Sequence, residues 1–326
     1  MYELVSLARG GVLLTVWALA AGWPRGRLAG RLRGDGWQRI CRGAWAVPGK
    51  EVDWRVRAGA MQLLRPELVC SHRTAAALHR IELLADARAE ADVLEFTACR
   101  GKVAHGRIRT RAAAVRVHTT SRLTDGDCSL RRGLRVTAPA RTAGDLIRAA
   151  AGREAAVVVA DSALSHRRVA GLRRGPLVRP EDLAAELAEP RRPGGPAARR
   201  WLRLAVPGTG SPAETVARLR MHDAGLRPET QPTLHTLTGR PLHPDFYFRA
   251  AGLVVEIEGF AYHGTREAHE RDVRRFNDLQ TCPGVRRVLR FTAHEVFTHP
   301  TRMTTTIRTT LNVLLRGGHE DGVALT

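Results

Sequence analysis

The sequence predicts a mixed α/β (α+β) chain built from several modules, and three observations carry that expectation. A length of 326 residues accommodates two or three domains with cores of their own. Apolar residues switch repeatedly between helical spacing and strand alternation. The stretch Glu189-Pro190-Arg191-Arg192-Pro193-Gly194-Gly195-Pro196 then interrupts both patterns with Pro, Gly and Arg, as a linker does. The expected layout is a first block over 1–50, a second over 51–188, a linker over 189–209, a third block over 210–316 and a tail over 317–326. No solenoid-type repeat and no heptad run is visible.

In the first block, Leu13 to Ala21 reads as an apolar helix, Gly22 as a turn, and Pro24 to Arg33 as a second helix. Leu28 and Leu32 fall four residues apart and face a core, which leaves Arg25, Arg27, Arg31 and Arg33 outside. Gly36 to Val47 follows as two short strands around Arg42-Gly43, with Arg39 and Arg42 on this wing. Helix, turn, basic helix and wing form a winged helix-turn-helix, which suits one helix in the major groove and the wing on phosphates. An Arg-rich surface helix on any small α/β domain would read the same way. The apolar run Gly11–Gly22 is too short to span a bilayer, follows a segment with Glu3 as well as Arg9, and lacks a small-x-small cleavage site. A core helix, no membrane partner and a cytoplasmic protein are therefore expected.

Short helices and strands alternate through the second block, a central α/β domain. Ser71 is placed to cap a helix from Arg73 to His79, and His72 with Arg73 could hold an anion there. Thr137 to Leu146 reads as a turn into a helix, with Arg141 and Asp145 spaced for a helix-surface pair. Structural roles are favoured for all of these. Cys41, Cys70, Cys99, Cys128 and Cys282 are odd in number and form no C-x-x-C pair, which argues against a zinc site and a disulfide framework and fits a reducing compartment.

The formal charge is +20 and the pI about 11.4. Such an excess fits a polyanionic partner, because basic residues that neutralise phosphates release condensed counterions. A GC-rich coding sequence is the competing explanation, since every basic residue except Lys50 and Lys102 is Arg.

The first two blocks resemble the AbiEi-type antitoxin domain of type IV toxin–antitoxin systems. The matching stretches are GWPRGRLAGRLRGDGWQRICRGAWAVPG, Val69 to His79, Arg116-Val117-His118 and Gly133 to Leu146, together about half the chain. The resemblance implies DNA binding, often at a promoter, and a cognate toxin gene product as partner. It implies no catalysis.

The third block carries the strongest chemistry. Ser211-Pro212-Ala213-Glu214 has the residues of a capping box: Ser at the N-cap, Pro at N1, Glu at N3. A strand is expected at Asp245 to Phe248, and another at Leu253 to Glu258. Strand alternation sends Leu253, Val255 and Ile257 to one face and Val254, Glu256 and Glu258 to the other. Two carboxylates at the end of an apolar strand are unfavourable unless a cation compensates. Asp245 on the neighbouring strand would complete an oxygen-rich site for Mg²⁺ or Mn²⁺, hard ions that can activate a water for phosphodiester hydrolysis. The alternative is three acids at a solvated strand end. His263 follows as a general acid or base or a phosphate ligand, or as an inert loop histidine. A helix from Thr265 to about Gln280 has Val273 and Phe276 as its apolar stripe and clusters Arg271, Arg274 and Arg275 on another side.

This order is similar to endonucleases related to the very-short-patch repair enzymes, within the PD-(D/E)xK restriction-endonuclease-like superfamily. PDF (244–246), VVEIEGFAYH (254–263), ERDVRRFNDL (270–279) and VRRVLRFTAHEV (285–296) carry the resemblance over 211–312. It implies a mixed central sheet flanked by helices, with Asp245 and Glu256 as metal ligands, Glu214 as a supporting acid and His263 at a histidine important for cleavage. The superfamily's lysine, two positions after the second acid, is Glu258 here, and 211–326 contains no lysine. Arg271 or His263 could take over its charge. The expected protein is a DNA-binding endonuclease; its rival is a non-enzymatic antitoxin-like regulator.

Overall fold

Spacing and alternation resolve into a mixed α/β chain with twelve α-helices and five sheets among the described residues. The computed structural model describes residues 3–84, 93–101, 114–190, 192–258 and 266–320. Two compact units emerge: Met1–Ile81 with Ala85–Leu146, and Glu82–Leu84 with Ile147–Thr326. The boundaries expected at 50 and 188 are therefore displaced. Val12, Leu14, Ile40, Ala44 and Ala46 of the first block share one core with Ala58, Met61, Phe96 and Val136 of the second, so the first fifty residues are not a separate body.

Unit one opens with β1 (Val12–Leu14), α1 (Thr15–Ala20), α2 (Arg25–Gly34), β2 (Gln38–Cys41) and β3 (Ala44–Ala46). The apolar run expected as one helix starts as a strand, because Leu13 and Leu14 pair with Trp45 and Ala44; tertiary pairing overrides local spacing. Leu28 and Leu32 are buried with Leu13, Trp37 and Trp45. At the β2–β3 turn Gly43 adopts φ +90°, which its lack of a Cβ permits. The sheet order is β1-β3-β2.

The rest of this unit contains α3 (Trp54–Leu64), β4 (Val69–Cys70), α4 (His72–His79), β5 (Leu94–Cys99), β6 (Val115–Thr120), β7 (Cys128–Arg131), β8 (Leu134–Thr137) and α5 (Pro139–Ala149), which runs across the boundary. Five strands form a mixed sheet in the order β6-β5-β4-β8-β7. Ser71 stands at the N-cap of α4 without capping it; its Oγ lies 3.0 Å from His72 Nδ1. The Arg73 amide instead donates to Glu95 Oε2 at 2.9 Å. The anion at that helix start is the protein's own carboxylate. Arg141 and Asp145 pair at 2.7 Å as their spacing requires, but both are largely buried rather than on a helix surface.

Unit two begins with α6 (Arg153–Leu164), the hairpin β9 (Arg167–Val169) and β10 (Leu172–Arg174), α7 (Pro180–Ala188) and α8 (Gly195–Leu202). The 189–209 stretch expected as a linker thus contains a helix, and Gly195 and Ala198 bury it. Next come α9 (Pro212–Asp223), β11 (Glu229–Thr230), β12 (Leu234–His235), β13 (Pro241–Leu242), β14 (Phe246–Phe248), β15 (Leu253–Glu258), α10 (Arg266–Gln280), β16 (Arg287–Thr292), α11 (Ala293–Thr298) and α12 (Pro300–Glu320). Helix α12 continues past residue 316, where a tail was expected.

The sheet that positions the acids has the order β11-β14-β15-β16, antiparallel except for the parallel β15–β16 pair. One face sends Phe246, Leu253, Val255 and Ile257 into a core with α9, α11 and α12. The other packs Tyr247 and Val254 against Leu279 and Cys282 at the end of α10. Val273, expected in the apolar stripe of α10, is 42% exposed, because that stripe follows Leu279 instead.

Candidate functional site

Three carboxylates meet beside this sheet: Glu214 on α9, Asp245 just before β14, and Glu256 on β15. Glu214 is the third residue of α9. The Ser211 hydroxyl accepts from its backbone N–H at 3.2 Å, and its own carboxylate reaches back to the Gly210 N–H at 2.7 Å, one residue beyond the expected capping-box partner. A Cβ at Gly210 would lie 3.0 Å from Glu214 Oε1, so glycine makes room for the carboxylate. Glu214 is 7% exposed.

Gln231 ties this acid to the next. Its side-chain amide donates to Glu214 Oε2 and to Asp245 Oδ1, both at 3.1 Å. Its backbone N–H donates to the Asp245 carbonyl at 3.0 Å. The residue holds φ +50°, a left-handed conformation that side chains larger than glycine rarely adopt and that recurs at functional sites. Asp245 Oδ2 accepts from the Ile257 amide at 2.7 Å, and the Asp245 amide donates to Glu256 Oε1 at 3.2 Å. Asp245 and Glu256 are thereby locked across β14 and β15.

Electrostatics follow from this crowding. Burial raises the Asp245 carboxyl well above its ordinary range, and repulsion from Glu214 and Glu256 adds to the shift. Burial likewise raises Glu214, against the hydrogen bond from Gly210. It raises Glu256 too, offset in part by Arg275, which lies 3.1 Å from each carboxylate oxygen and also donates to the His243 carbonyl at 2.8 Å. Buried, mutually repelling oxygen donors of this kind fit a hard divalent cation, which would relieve both the desolvation and the repulsion. Among the described residues no acidic, imidazole or thiol trio is already arranged as a ligand cage. Gln231 and Arg275 occupy the carboxylates instead.

Glu258, expected beside Asp245 and Glu256, is drawn instead to a cation on the next strand. Its carboxylate lies 2.7 Å from Arg290 Nε, because β16 runs parallel to β15 and brings Arg290 level with Glu256. Arg290 also pairs with Asp272 at 2.6 Å. Nothing in the spacing of Gln231, Asp272 or Arg290 marks them as site residues. The i, i+2 spacing of Glu256 and Glu258 gave no hint that a cation on the next strand would separate them.

No family model matches the chain, and no curated protein matches it. The site stands on its geometry alone.

The remaining sequence-derived residues divide by place. Arg25, Arg27, Arg31, Arg39 and Arg42 are all exposed in unit one. Arg31 pairs with Asp35 at 2.6 Å, and Arg39 lies over the Trp45 ring at 5.9 Å. In unit two, Arg271 and Arg274 are exposed on α10, whereas Arg275 turns inward to Glu256. His263 lies outside the described residues. None of the described helices is long and apolar enough to cross a membrane.

Proposed function

We propose that the chain is a DNA-binding phosphodiesterase whose hydrolytic site is Glu214, Asp245 and Glu256 in unit two. The observation that carries this reading is the continuous link between the three acids: Gln231 bridges Glu214 and Asp245, and the Asp245 amide holds Glu256. Buried like charges are costly and recur where chemistry uses them. Asp245 and Glu256 would hold Mg²⁺ or Mn²⁺, with Glu214 in support. When bound, the ion supplies a Lewis acid that lowers the pKa of a bound water and stabilises the leaving oxygen. Asp245 is oriented by two donors, so its oxygens are fixed in advance; the raised carboxyl pKa values mark a site that gains by accepting positive charge.

The same reading assigns a restriction-endonuclease-like fold to the mixed sheet between α10 and the α9, α11 and α12 layer, and a winged helix-turn-helix to α1, α2 and the β1-β3-β2 sheet. Support comes from the exposed arginines of α2 and the β2–β3 wing, which present guanidinium groups to solvent. It extends to the resemblances to the very-short-patch repair enzymes and to AbiEi-type antitoxins, and with the latter to a cognate toxin gene product and a cytoplasmic setting.

One observation favours a second reading. Arg275 already neutralises Glu256, as suits a nuclease-like fold that only grips DNA as a regulator. A cleavage assay separates the two. The full chain with mixed-sequence DNA and Mg²⁺ or Mn²⁺ is expected to nick or cut, and Asp245→Asn is expected to bind without cutting. Metal-independent, salt-sensitive binding with no cleavage by the parent protein would install the regulator in its place.

A further inference from the structure

We infer that Arg290 is the residue that grips the scissile phosphate, an assignment that rests on the phosphodiesterase reading above. Glu256 and Arg290 are register partners on parallel strands, so their side chains leave the same face of the sheet one strand spacing apart. The groups that hold the guanidinium there include Glu258 at 2.7 Å, Asp272 at 2.6 Å, and the Phe276 ring with its centroid 5.4 Å away. None of the three belongs to the acid trio. The other cation beside Glu256, Arg275, is held against that carboxylate and the His243 carbonyl. The Arg290 side chain is 29% exposed.

The chemistry needs such a group. Attack of water on phosphorus forms a new P–O bond and breaks the P–O bond to the leaving sugar oxygen, which takes up a proton. In between, negative charge grows on the two non-bridging oxygens. A planar guanidinium matches two such oxygens with parallel N–H donors. Glu258 is then the clamp that aims Arg290, in place of the metal ligand it was expected to be.

The test uses the full chain. DNA affinity is measured without metal as a function of salt for the parent protein, Arg290→Met and Arg290→Lys. Losing one phosphate contact is expected to lower the log–log salt slope by about 0.9 in Arg290→Met, and Arg290→Lys is expected to retain it. With Mg²⁺, Arg290→Met is expected to cut about 100-fold more slowly, the scale of losing one preorganised donor to a developing negative charge. Glu258→Lys in the Arg290→Met background returns a cation to the same face and is expected to recover part of that loss, whereas Glu258→Gln in that background is not. Equal recovery by Lys and Gln would show that Arg290 merely neutralises Glu258 and would overturn the assignment, as would an unchanged salt slope. If Arg290→Met does not fold, Arg290→Gln carries the same comparison. A parent protein that binds but never cuts sinks the hydrolase reading and leaves the slope to decide Arg290; one that does not bind DNA sinks both.

Discussion

Replacing Asp161 by alanine tests what holds the Glu214 helix in place. Asp161 lies on α6 at zero exposure and receives four donors. They are the Val206 amide at 2.7 Å, Thr209 Oγ1 at 3.1 Å, Thr215 Oγ1 at 2.8 Å and Arg218 Nη2 at 3.0 Å. Two of these donors sit on α9, in the first turns after Glu214. Arg218 is 1% exposed, and its Nε has no hydrogen-bond partner among the described residues, so Asp161 is its main compensation. Removing the carboxylate strands a buried guanidinium, which costs about 3–5 kcal/mol. For a body of this size that corresponds to a fall in melting temperature of roughly 6–20 °C. Thermal and urea unfolding of the full chain, followed by a probe in unit two, measure the loss. Asp161→Ala with Arg218→Met removes both charges and is expected to be more stable than Asp161→Ala alone. A single-mutant cost below about 1 kcal/mol, or strict additivity in the pair, would refute the claim that this buried ion pair anchors α9.

Three further outcomes are expected. Gly210→Ala places a Cβ 3.0–3.1 Å from both Glu214 oxygens, so the carboxylate must give by a few tenths of an ångström; a stability loss of about 1–3 kcal/mol is expected by melting and, on the phosphodiesterase proposal, at least a tenfold loss of cleavage. Because the folded-state pKa values of Glu214, Asp245 and Glu256 are raised, their contribution to stability is fully present below their ordinary values of 4.5, 3.8 and 4.5 and is lost as pH rises through the raised ones. In metal-free melts Asp245→Asn should therefore gain on the parent protein as pH rises, and Mg²⁺ should narrow that gap until chelation restores it. Glu95 behaves oppositely: burial pushes it up, but the His118 side chain and Arg73 amide hold it at about 2, so its stabilisation of unit one is present above 4.5 and lost as pH falls towards 2. Glu95→Gln should flatten that part of the acid-unfolding profile.

How much of this was legible in the sequence depended on how local each cause is. Strand alternation placed Leu253, Val255 and Ile257 opposite Val254, and the structure seats them in two different cores. Ser211-Pro212 marked the start of α9 because N-cap chemistry is confined to four residues. The apolar run at Leu13 misled, since whether such a segment pairs as strand or coils as helix depends on Trp45, more than thirty positions away. Glu258 misled for a similar reason. Its charge and spacing were visible, but its partner arrives on β16, after a whole helix. Gln231 gave no signal at all: an amide bridging two acids looks like any loop glutamine until the fold closes around it.

The arginine bias of the chain bears on the site more directly than on overall charge. With no lysine from 211 onward, a permanently charged side chain that this stretch brings to the acids is a guanidinium, longer and planar, with its donors in a fixed fork. A fork needs a carboxylate to aim it, whereas an ammonium can approach from any direction. Two cations at this site have such an aiming group: Arg275 has Glu256, and Arg290 has Glu258 and Asp272. The acids at 258 and 272 are then the consequence of moving positive charge onto neighbouring elements as arginine. On the phosphodiesterase proposal, exchanging Arg290 for lysine alone should therefore preserve attraction for DNA yet lose aim, which would appear as slower cleavage at nearly unchanged affinity. Equal loss of both would mean that Arg290 is no more than one charge among many.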